Sequence, residues 1–383
     1  MIIQEKKFQT GNVVLISVSH FIHDVYSSFL APILPLLIEK LGLSYTQVGF
    51  LTVLQRLPSL LNPLVGLLAD RLSVKLFVII SPAITVIVMS LLGIASSYIF
   101  LGTLLIIMGI SASMFHVPAP VMIRQIAGKR VGKGMSYFML GGELARSVGP
   151  LVILGGVSYW GLEGTYRLIP FGLIASVSLL YKFKKIDPPK SAQKKIGRNI
   201  VRVLNEYRNL FLIILGILFF TSIIKGTINT FLTVYLTNQG DSLWYAGASL
   251  SIYQFSGAGG TFLSGTLSDK IGRKKVLLFS ALVNPILLLL FISSSGILSF
   301  IILILLGFFL FAFTPVLLAV VNESKSDFPT FLNGIFMTIN FFTSAVTISI
   351  IGFSADHLSL ETTYILSGLI GFAAIPFVLK LSS

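Results

Sequence analysis

The chain of 383 residues contains no cysteine and few charged residues. The absence of cysteine excludes disulfides and thiolate metal sites. Charged residues make up 11% of the chain and hydrophobic residues 55%, whereas soluble domains carry about 25% charged residues. Acidic residues number 14 and histidines four. Because a soluble protein of this size must cover itself with polar side chains, the composition indicates a membrane protein.

Hydrophobic runs predict an all-α protein with twelve transmembrane helices. A helix that crosses a bilayer needs about 20 mainly apolar residues. Runs of this kind, bounded by turns or charges, lie near 13–38, 46–68, 75–95, 98–122, 134–157, 165–182, 209–236, 244–267, 275–293, 297–320, 329–353 and 362–380. We therefore predict an N-terminal six-helix half at 1–181, a cytoplasmic linker at 182–208 and a C-terminal six-helix half at 209–383.

The last part of the linker has an apolar helical face. Its members are Ile200, Val203, Leu204, Tyr207 and Phe211. This spacing predicts a helix that lies on the inner leaflet.

The 28 lysines and arginines fall mostly on one side of the predicted membrane. With a cytoplasmic N-terminus, 23 lie in inner segments, and only Lys40 and Arg167 lie in outer loops. The positive-inside rule then predicts that both termini are cytoplasmic. We interpret the net charge of +14 as a result of the membrane topology and of contact with anionic inner-leaflet lipids, and not as a sign of nucleic-acid binding.

A short motif follows both the second and the eighth span. The first copy contains Gly66, Asp70 and Arg71, and the second contains Gly265, Asp269, Gly272, Arg273 and Lys274, 199 residues later. Ser73 stands where the second copy has Gly272. The pattern resembles the signature loop of the major facilitator superfamily. That resemblance implies two pseudo-symmetric six-helix halves and transport of a small molecule by alternating access.

Further residues of the N-terminal half resemble the fosmidomycin-resistance branch of proton-coupled efflux transporters within that superfamily. They are His20, His23 and Asp24 in helix 1, His116 and Pro118 in helix 4, and Glu143, Gly149 and Pro150 in helix 5. Helix 5 departs from the antiporter motif of drug-efflux members, because four residues, not two, separate Pro150 from Gly155 and Gly156.

The resemblance implies a secondary active transporter of the inner (plasma) membrane. We expect it to be a monomer that exports a small drug-like or anionic organic molecule in exchange for protons. A symporter or facilitator that imports a metabolite or lipid-like molecule is the alternative, and a non-transporting membrane sensor is a remote one. No catalytic cluster, phosphate loop or ligand-spaced set of histidines and carboxylates occurs, so we expect no enzyme, cofactor or metal.

Ionisable residues inside the spans are the candidate functional residues, because such groups are costly in a membrane. Among the acids, only Asp24 and Glu143 lie well inside spans. We expect these two, with His20 and His116, to couple protons, since burial and neighbouring charges can move a carboxyl between its two protonation states. A purely structural network, Arg56 with Asp24 and Glu143 with Arg146, is the alternative.

The expected substrate cavity combines polar and basic side chains from both halves. Its members are Tyr26, Arg56, Arg146, Lys225, Asn229, Tyr253 and Asn340. Three buried cations against two acids favour an anionic substrate, with Lys225 as its contact. If burial keeps Lys225 neutral, neutral or apolar substrates are expected instead.

Arg124 and Glu323 occupy corresponding positions at the inner ends of helices 4 and 10. Their opposite charges predict an inner gate. The alternative is that each neutralises headgroups or its own signature loop.

Overall fold

The computed structural model describes residues 8–62, 74–128, 130–183, 200–324 and 329–381. Over these residues the chain is helical and contains no strand. The α-helices in chain order are α1 (Thr10–Ser27), α2 (Leu30–Leu41), α3 (Tyr45–Arg56), α4 (Val74–Ser90), α5 (Tyr98–His116), α6 (Pro118–Ile126), α7 (Val131–Trp160), α8 (Ile169–Phe183), α9 (Ile200–Asn238), α10 (Leu243–Ile271), α11 (Arg273–Ile292), α12 (Ile297–Phe311), α13 (Phe313–Glu323), α14 (Pro329–Leu358), α15 (Leu360–Gly371) and α16 (Ala374–Leu379). Short 3-10 helices cover Leu57–Leu61, Leu92–Ile94 and Glu163–Leu168.

Within the described ranges, nine helical spans are long and apolar enough to cross a membrane. Four of them join two consecutive helices: α1 with α2, α5 with α6, α12 with α13, and α15 with α16. The other three predicted spans correspond to α3, α8 and α10. Of these, α3 precedes residues outside the description, α8 has 15 residues, and α10 has 29 residues but is rich in serine and glycine. The all-α membrane fold is therefore confirmed, and nine of its twelve predicted spans meet the length and hydropathy criteria.

The chain forms two compact units. Unit 1 consists of Met1–Leu43, Leu51–Ser191 and Asp241–Ser251. Unit 2 consists of Ser44–Phe50, Ala192–Gly240 and Ile252–Ser383.

Small residues on α7 bring α1 and α7 of unit 1 into close contact. Gly141, Ala145 and Gly149 are spaced four apart, so they share one face of α7. A Cβ at Gly141 would lie 2.5 Å from the Ser17 carbonyl oxygen, and one at Gly149 would lie 2.6 Å from that of Val25. Small residues of this kind allow two backbones to approach inside a membrane.

The internal repeat is visible in a second kind of glycine contact. In unit 1, a Cβ at Gly109 would lie 2.3 Å from the Gln55 carbonyl oxygen. In unit 2, a Cβ at Gly307 would lie 2.3 Å from the Tyr253 carbonyl oxygen. Each glycine follows its partner by 54 residues. The same helix contact is therefore built twice, once in each unit.

The core next to the candidate site in unit 1 is apolar. It contains Val13, Ile16, Val78, Ile79, Phe115, Ala119, Met122, Ile123, Ile126 and Phe138, all buried. These side chains come from α1, α4, α5, α6 and α7, so the core fixes these five helices around the polar residues described below.

The end of the predicted linker differs from the sequence expectation. Helix α9 begins at Ile200 and continues without interruption to Asn238. Residues 200–208 are thus the first turns of a long helix and not a separate surface helix. The Tyr207 hydroxyl donates a hydrogen bond of 3.3 Å to the Ser324 carbonyl oxygen.

Candidate functional site

Asp24 is the centre of a buried polar cluster in unit 1. It lies near the end of α1, one helical turn after His20 and directly after His23. His20, His23 and Asp24 are all buried. Their spacing places His20 and Asp24 on one helical face, so helix α1 alone supplies three members of the cluster.

The Asp24 carboxylate contacts three imidazole rings. Its Oδ1 lies 2.9 Å from His23 Nδ1 and 3.2 Å from His116 Nε2. Its Oδ2 lies 3.3 Å from His20 Nε2. Both carboxylate oxygens therefore have nitrogen neighbours at or near hydrogen-bonding distance. The sequence grouping of Asp24 with His20 and His116 corresponds to actual contacts, and His23 completes the cluster.

His116 reaches the cluster from a break in the fourth span. Helix α5 ends at His116, and α6 begins at Pro118. Proline has no N–H group and cannot continue the hydrogen-bond pattern of the preceding turn. The His116 side chain is 38% exposed, whereas that of Asp24 is 8% exposed. His116 is therefore the member of the cluster that is most accessible from outside.

His20 is held against α7 by its second ring nitrogen. His20 Nδ1 lies 2.7 Å from the Phe138 carbonyl oxygen, and its ring stacks on that of Phe138 with centroids 4.0 Å apart. Gly142 makes this position possible, because a Cβ there would lie 2.5 Å from His20 Cε1. A carbonyl oxygen only accepts hydrogen bonds. Nδ1 of His20 therefore carries a proton, and its Nε2 faces Asp24.

His23 is connected to α4 and α5 through hydroxyl groups. His23 Nε2 lies 3.0 Å from Thr85 Oγ1, which lies 2.8 Å from Ser111 Oγ. The Ser111 hydroxyl donates a 2.7 Å hydrogen bond to the Ser81 carbonyl oxygen. The His23 ring stacks on Phe115 with centroids 4.9 Å apart. Each polar group of this chain has a partner inside the apolar core.

His20, Asp24 and His116 each offer one nitrogen or oxygen atom that could bind a metal ion, and these atoms lie within 4.8 Å of one another. The sequence shows no ligand-spaced set of these residue types, because the packing of α1 against α5, and not their spacing in the sequence, brings the three residues together. The Nε2 atoms of His20 and His116 each lie next to an oxygen of the Asp24 carboxylate.

The second intramembrane acid, Glu143, has a different environment. Its carboxylate pairs with Arg146 one turn later on α7, at 2.9 Å. This is the ion pair that the structural alternative predicts. The other pair of that alternative does not form, because Asp24 contacts imidazoles and Arg56 is an exposed residue at the end of α3. Tyr26 is buried and donates a 2.6 Å hydrogen bond to the Leu168 carbonyl oxygen, so it serves packing in this structure.

In unit 2, Lys225 lies on α9 with its ammonium group over an aromatic ring. Lys225 Nζ is 4.2 Å from the centroid of Phe311. Asn229, one turn later, accepts a 2.9 Å hydrogen bond from Gln254. These half-buried side chains form a polar surface that a charged molecule could contact.

The two other residues predicted for the cavity in unit 2 are placed differently from each other. Asn340 on α14 is half-buried. Tyr253 on α10 is fully buried.

The second signature loop is well defined. Gly272 separates α10 from α11 and has a φ of +98°, a conformation that favours glycine. Arg273 contacts Asp269 and lies 2.9 Å from Glu323. Lys274 donates a 2.8 Å hydrogen bond to the Leu381 carbonyl oxygen.

These contacts bear on the predicted gate. Glu323 binds the arginine of its own signature loop, as the alternative to a gate with Arg124 expects. Arg124 lies on α6 of unit 1. The first-copy residues Gly66, Asp70 and Arg71 lie outside the described residues.

Sequence reasoning did not assign Thr85, Ser111, Phe138 or Gly142 to the site. The small-residue spacing on α7 could have indicated the close α1–α7 contact. No sequence signal identifies Thr85 or Ser111, since hydroxyl residues are common in membrane helices and their contacts depend on how three helices pack.

Comparison with known sequences places the chain among membrane transporters. The sequence model of the Major Facilitator Superfamily matches residues 16–284 and 245–382. The "Fosmidomycin resistance protein" of Escherichia coli strain K12 is 29% identical over 365 residues, which cover 91% of this chain and 87% of that protein. The "Multidrug resistance protein MdtG" of Proteus mirabilis strain HI4320 is 26% identical over 276 residues, 66% of each chain.

Solved structures agree on the fold. A bacterial homologue of the human lysosomal transporter Spinster, in an inward-facing and occupied conformation, aligns with a TM-score of 0.78 at 14% identity, covering 97% of this chain and 96% of that one. The nucleoside transporter NupG aligns with a TM-score of 0.79 at 15% identity, covering 96% and 99%. At such identities the likeness concerns the fold alone.

Proposed function

The chain belongs to the Major Facilitator Superfamily, whose members are transporters of small molecules and not enzymes. From this premise we propose that it exports a small drug-like or anionic organic molecule in exchange for protons. Export is supported by the relatives whose names refer to fosmidomycin or multidrug resistance. We place the protein in the inner membrane with both termini in the cytoplasm, as its loop charges predict.

One observation carries the proton-coupled part of the proposal: a carboxylate inside a membrane span contacts three imidazoles. Asp24, His20, His23 and His116 are the ionisable side chains of this cluster. An unpaired charge at this depth is costly, so the cluster favours states in which protons balance the carboxylate. Imidazoles change charge near neutral pH more readily than other side chains. In the proposed mechanism, this cluster is where the exchanged proton binds.

Lys225 supports the anionic part of the proposal. It lies inside the span Asn205–Asn238, over the ring of Phe311, with Asn229 one turn away. An ammonium group beside an amide offers charge-assisted hydrogen bonds to a carboxylate or a phosphonate. A substrate anion would therefore find both charge and directional donors in unit 2.

Gradient-driven transport in proteoliposomes tests the coupling. Asp24→Asn keeps the shape of the side chain but removes its ability to bind a proton. We expect this variant to lose accumulation driven by a pH gradient while retaining exchange of labelled for unlabelled substrate. Glu143→Gln is the companion variant: a loss of accumulation there too would add Glu143 to the coupling groups, whereas retention would restrict it to a structural ion pair.

The same vesicles separate the alternative functions. An exporter of the proposed kind accumulates substrate in vesicles only when the imposed pH gradient drives protons in the direction opposite to substrate movement. Accumulation along with protons would identify a symporter, and equilibration without dependence on pH would identify a facilitator. If both amide variants accumulate substrate as the parent does, coupling through these residues is wrong.

A further inference from the structure

A series of hydrogen bonds connects the Ser81 carbonyl through Ser111 and Thr85 to His23. The donor and acceptor properties of these groups determine where each hydrogen atom lies. A carbonyl oxygen only accepts, so the single hydroxyl hydrogen of Ser111 points at the Ser81 carbonyl. The Ser111 oxygen must then accept from Thr85 at 2.8 Å. This uses the single hydroxyl hydrogen of Thr85. Thr85 Oγ1 can therefore only accept from His23 Nε2, 3.0 Å away.

This assignment fixes the tautomer of His23. Its Nε2 carries a hydrogen, and a neutral imidazole has only one. The remaining nitrogen, Nδ1, would then present a lone pair to Asp24 Oδ1 at 2.9 Å. Two lone pairs at that distance repel each other. A proton must lie between them, either on Nδ1 as an imidazolium or on the carboxyl group as a neutral acid.

We propose that Thr85 is a positioning residue that fixes His23 as the Nε2–H tautomer and thereby makes the His23–Asp24 pair bind a proton more tightly. Thr85 touches neither a substrate nor the transferred proton. It acts through the direction of one hydrogen bond, which removes the tautomer that could stabilise an ionised Asp24 without an additional proton. The pair is thus held in a proton-loaded state for as long as α4 and α5 keep Ser81, Thr85 and Ser111 together.

Of the other described groups near Asp24, only His20 is constrained in a similar way, because its Nδ1 donates to the Phe138 carbonyl oxygen. His20 and His116 also face Asp24. His116 can donate from Nε2 while neutral, because no hydrogen bond among the described residues requires its Nδ1 to carry the hydrogen, as Phe138 requires of His20. On α7, Glu143 and Arg146 pair with each other. Among the described residues, Thr85 supplies the hydroxyl group that forms a hydrogen bond with an imidazole of the cluster.

The experiment uses the full-length protein with ¹⁵N-labelled histidine in nanodiscs. The chain has only four histidines, so the ring-nitrogen signals are few, and His23→Gln assigns those of His23. In the parent protein we expect a protonated Nε2 on His23 throughout the titration. An Nδ1–H tautomer in the deprotonated parent would overturn the proposal, whatever the variants do.

Thr85→Val removes the hydroxyl group and keeps the branched shape. We expect His23 to gain access to the Nδ1–H tautomer, and the midpoint of proton binding to fall by about one pH unit, a tenfold loss of affinity. Thr85→Ser restores the hydroxyl and is expected to restore the midpoint. Thr103→Val is the matched control, since Thr103 lies on the exposed side of α5 and bonds only the Ile99 carbonyl.

The functional importance of this inference rests on the proposed proton coupling, whereas its test measures proton binding and does not require coupled transport. A midpoint shift in Thr85→Val without any effect of pH on transport would leave the inference intact and refute the proposed function. Proton-coupled transport with the same midpoint in Thr85→Val and in the parent would refute the inference and leave the proposed function intact.

Discussion

Replacing Gly142 with alanine tests how His20 is held against α7. The new Cβ would lie 2.5 Å from His20 Cε1 and 2.7 Å from Nε2, whereas ordinary contacts begin at 3.4 Å. The ring would have to retreat by about 0.9 Å, since interiors have no spare room. A retreat of that size along the bond lengthens the contact from Nδ1 to the Phe138 carbonyl oxygen from 2.7 Å to about 3.6 Å, which is no longer a hydrogen bond.

Two effects on the measured quantities follow. Overpacking of this kind costs about 1–3 kcal/mol, and it is partly offset because alanine is a better helix former than glycine by about 1 kcal/mol. Gly155→Ala in the same helix isolates the second effect, because a Cβ there meets nothing within 4 Å. We expect Gly142→Ala to be less stable than Gly155→Ala by about 1–3 kcal/mol in thermal unfolding.

The loss of the Phe138 contact also acts on proton binding. His20 would no longer be required to carry its hydrogen on Nδ1, so Nε2–H could donate to an ionised Asp24. The pH midpoint of transport is expected to move to lower pH in Gly142→Ala and to stay unchanged in Gly155→Ala. Equal stability of the two variants together with equal midpoints would refute the packing argument.

Two further predictions concern charges outside this cluster. Lys225→Met is expected to weaken anionic substrates about tenfold and to spare neutral ones, as measured by substrate-dependent stabilisation; Lys380→Met, which also removes a lysine next to a phenylalanine ring, should change neither. A hydrogen bond from Lys40, together with its charge, holds the pKa of the exposed Glu163 carboxyl below its ordinary value of 4.5. The bond therefore stabilises the fold above that pH value and is lost as pH falls. We expect the Tm values of the parent and of Glu163→Gln to differ near neutral pH and to converge in acid. A Tm difference that does not depend on pH, or one that Glu39→Gln reproduces, would contradict this.

The sequence predicted the fold class because membrane-spanning helices have a distinctive amino-acid composition. Apolar runs of sufficient length rarely occur for another reason, and within the described ranges nine of them form helices long and apolar enough to cross a membrane. Of the three spans that fall short, α10 contains serines and glycines that allow close packing but lower its hydropathy, whereas α3 precedes residues that lie outside the described ranges. Residues 200–208 could not be assigned from their apolar face, because the same spacing suits a surface helix and the first turns of a long one.

The candidate site was only partly predictable. His20 and Asp24 share a helical face, so their contact follows from local geometry. The contacts of Thr85 and Ser111 do not, since these residues lie 62 and 88 positions after His23 and meet it only through the packing of α1, α4 and α5. Arg56 was a reasonable partner for Asp24 by depth alone, but the histidines of α1 and α5 already occupy both carboxylate oxygens.

The hydroxyl chain that ends at the Ser81 carbonyl has a consequence for leakage. A chain of hydroxyl groups can conduct protons only if its last member can accept one and pass it on, and a backbone carbonyl cannot do so under cellular conditions. Thr85 and Ser111 therefore form a dead end, although they resemble a proton wire in their spacing. Under the proposed proton coupling, the half-exposed His116 is then the group among those described around Asp24 that would exchange protons with water. A carrier with one such exchange point does not short-circuit the membrane potential when no substrate is bound, and an uncoupled proton current would be expected only if a second exit were opened by mutation.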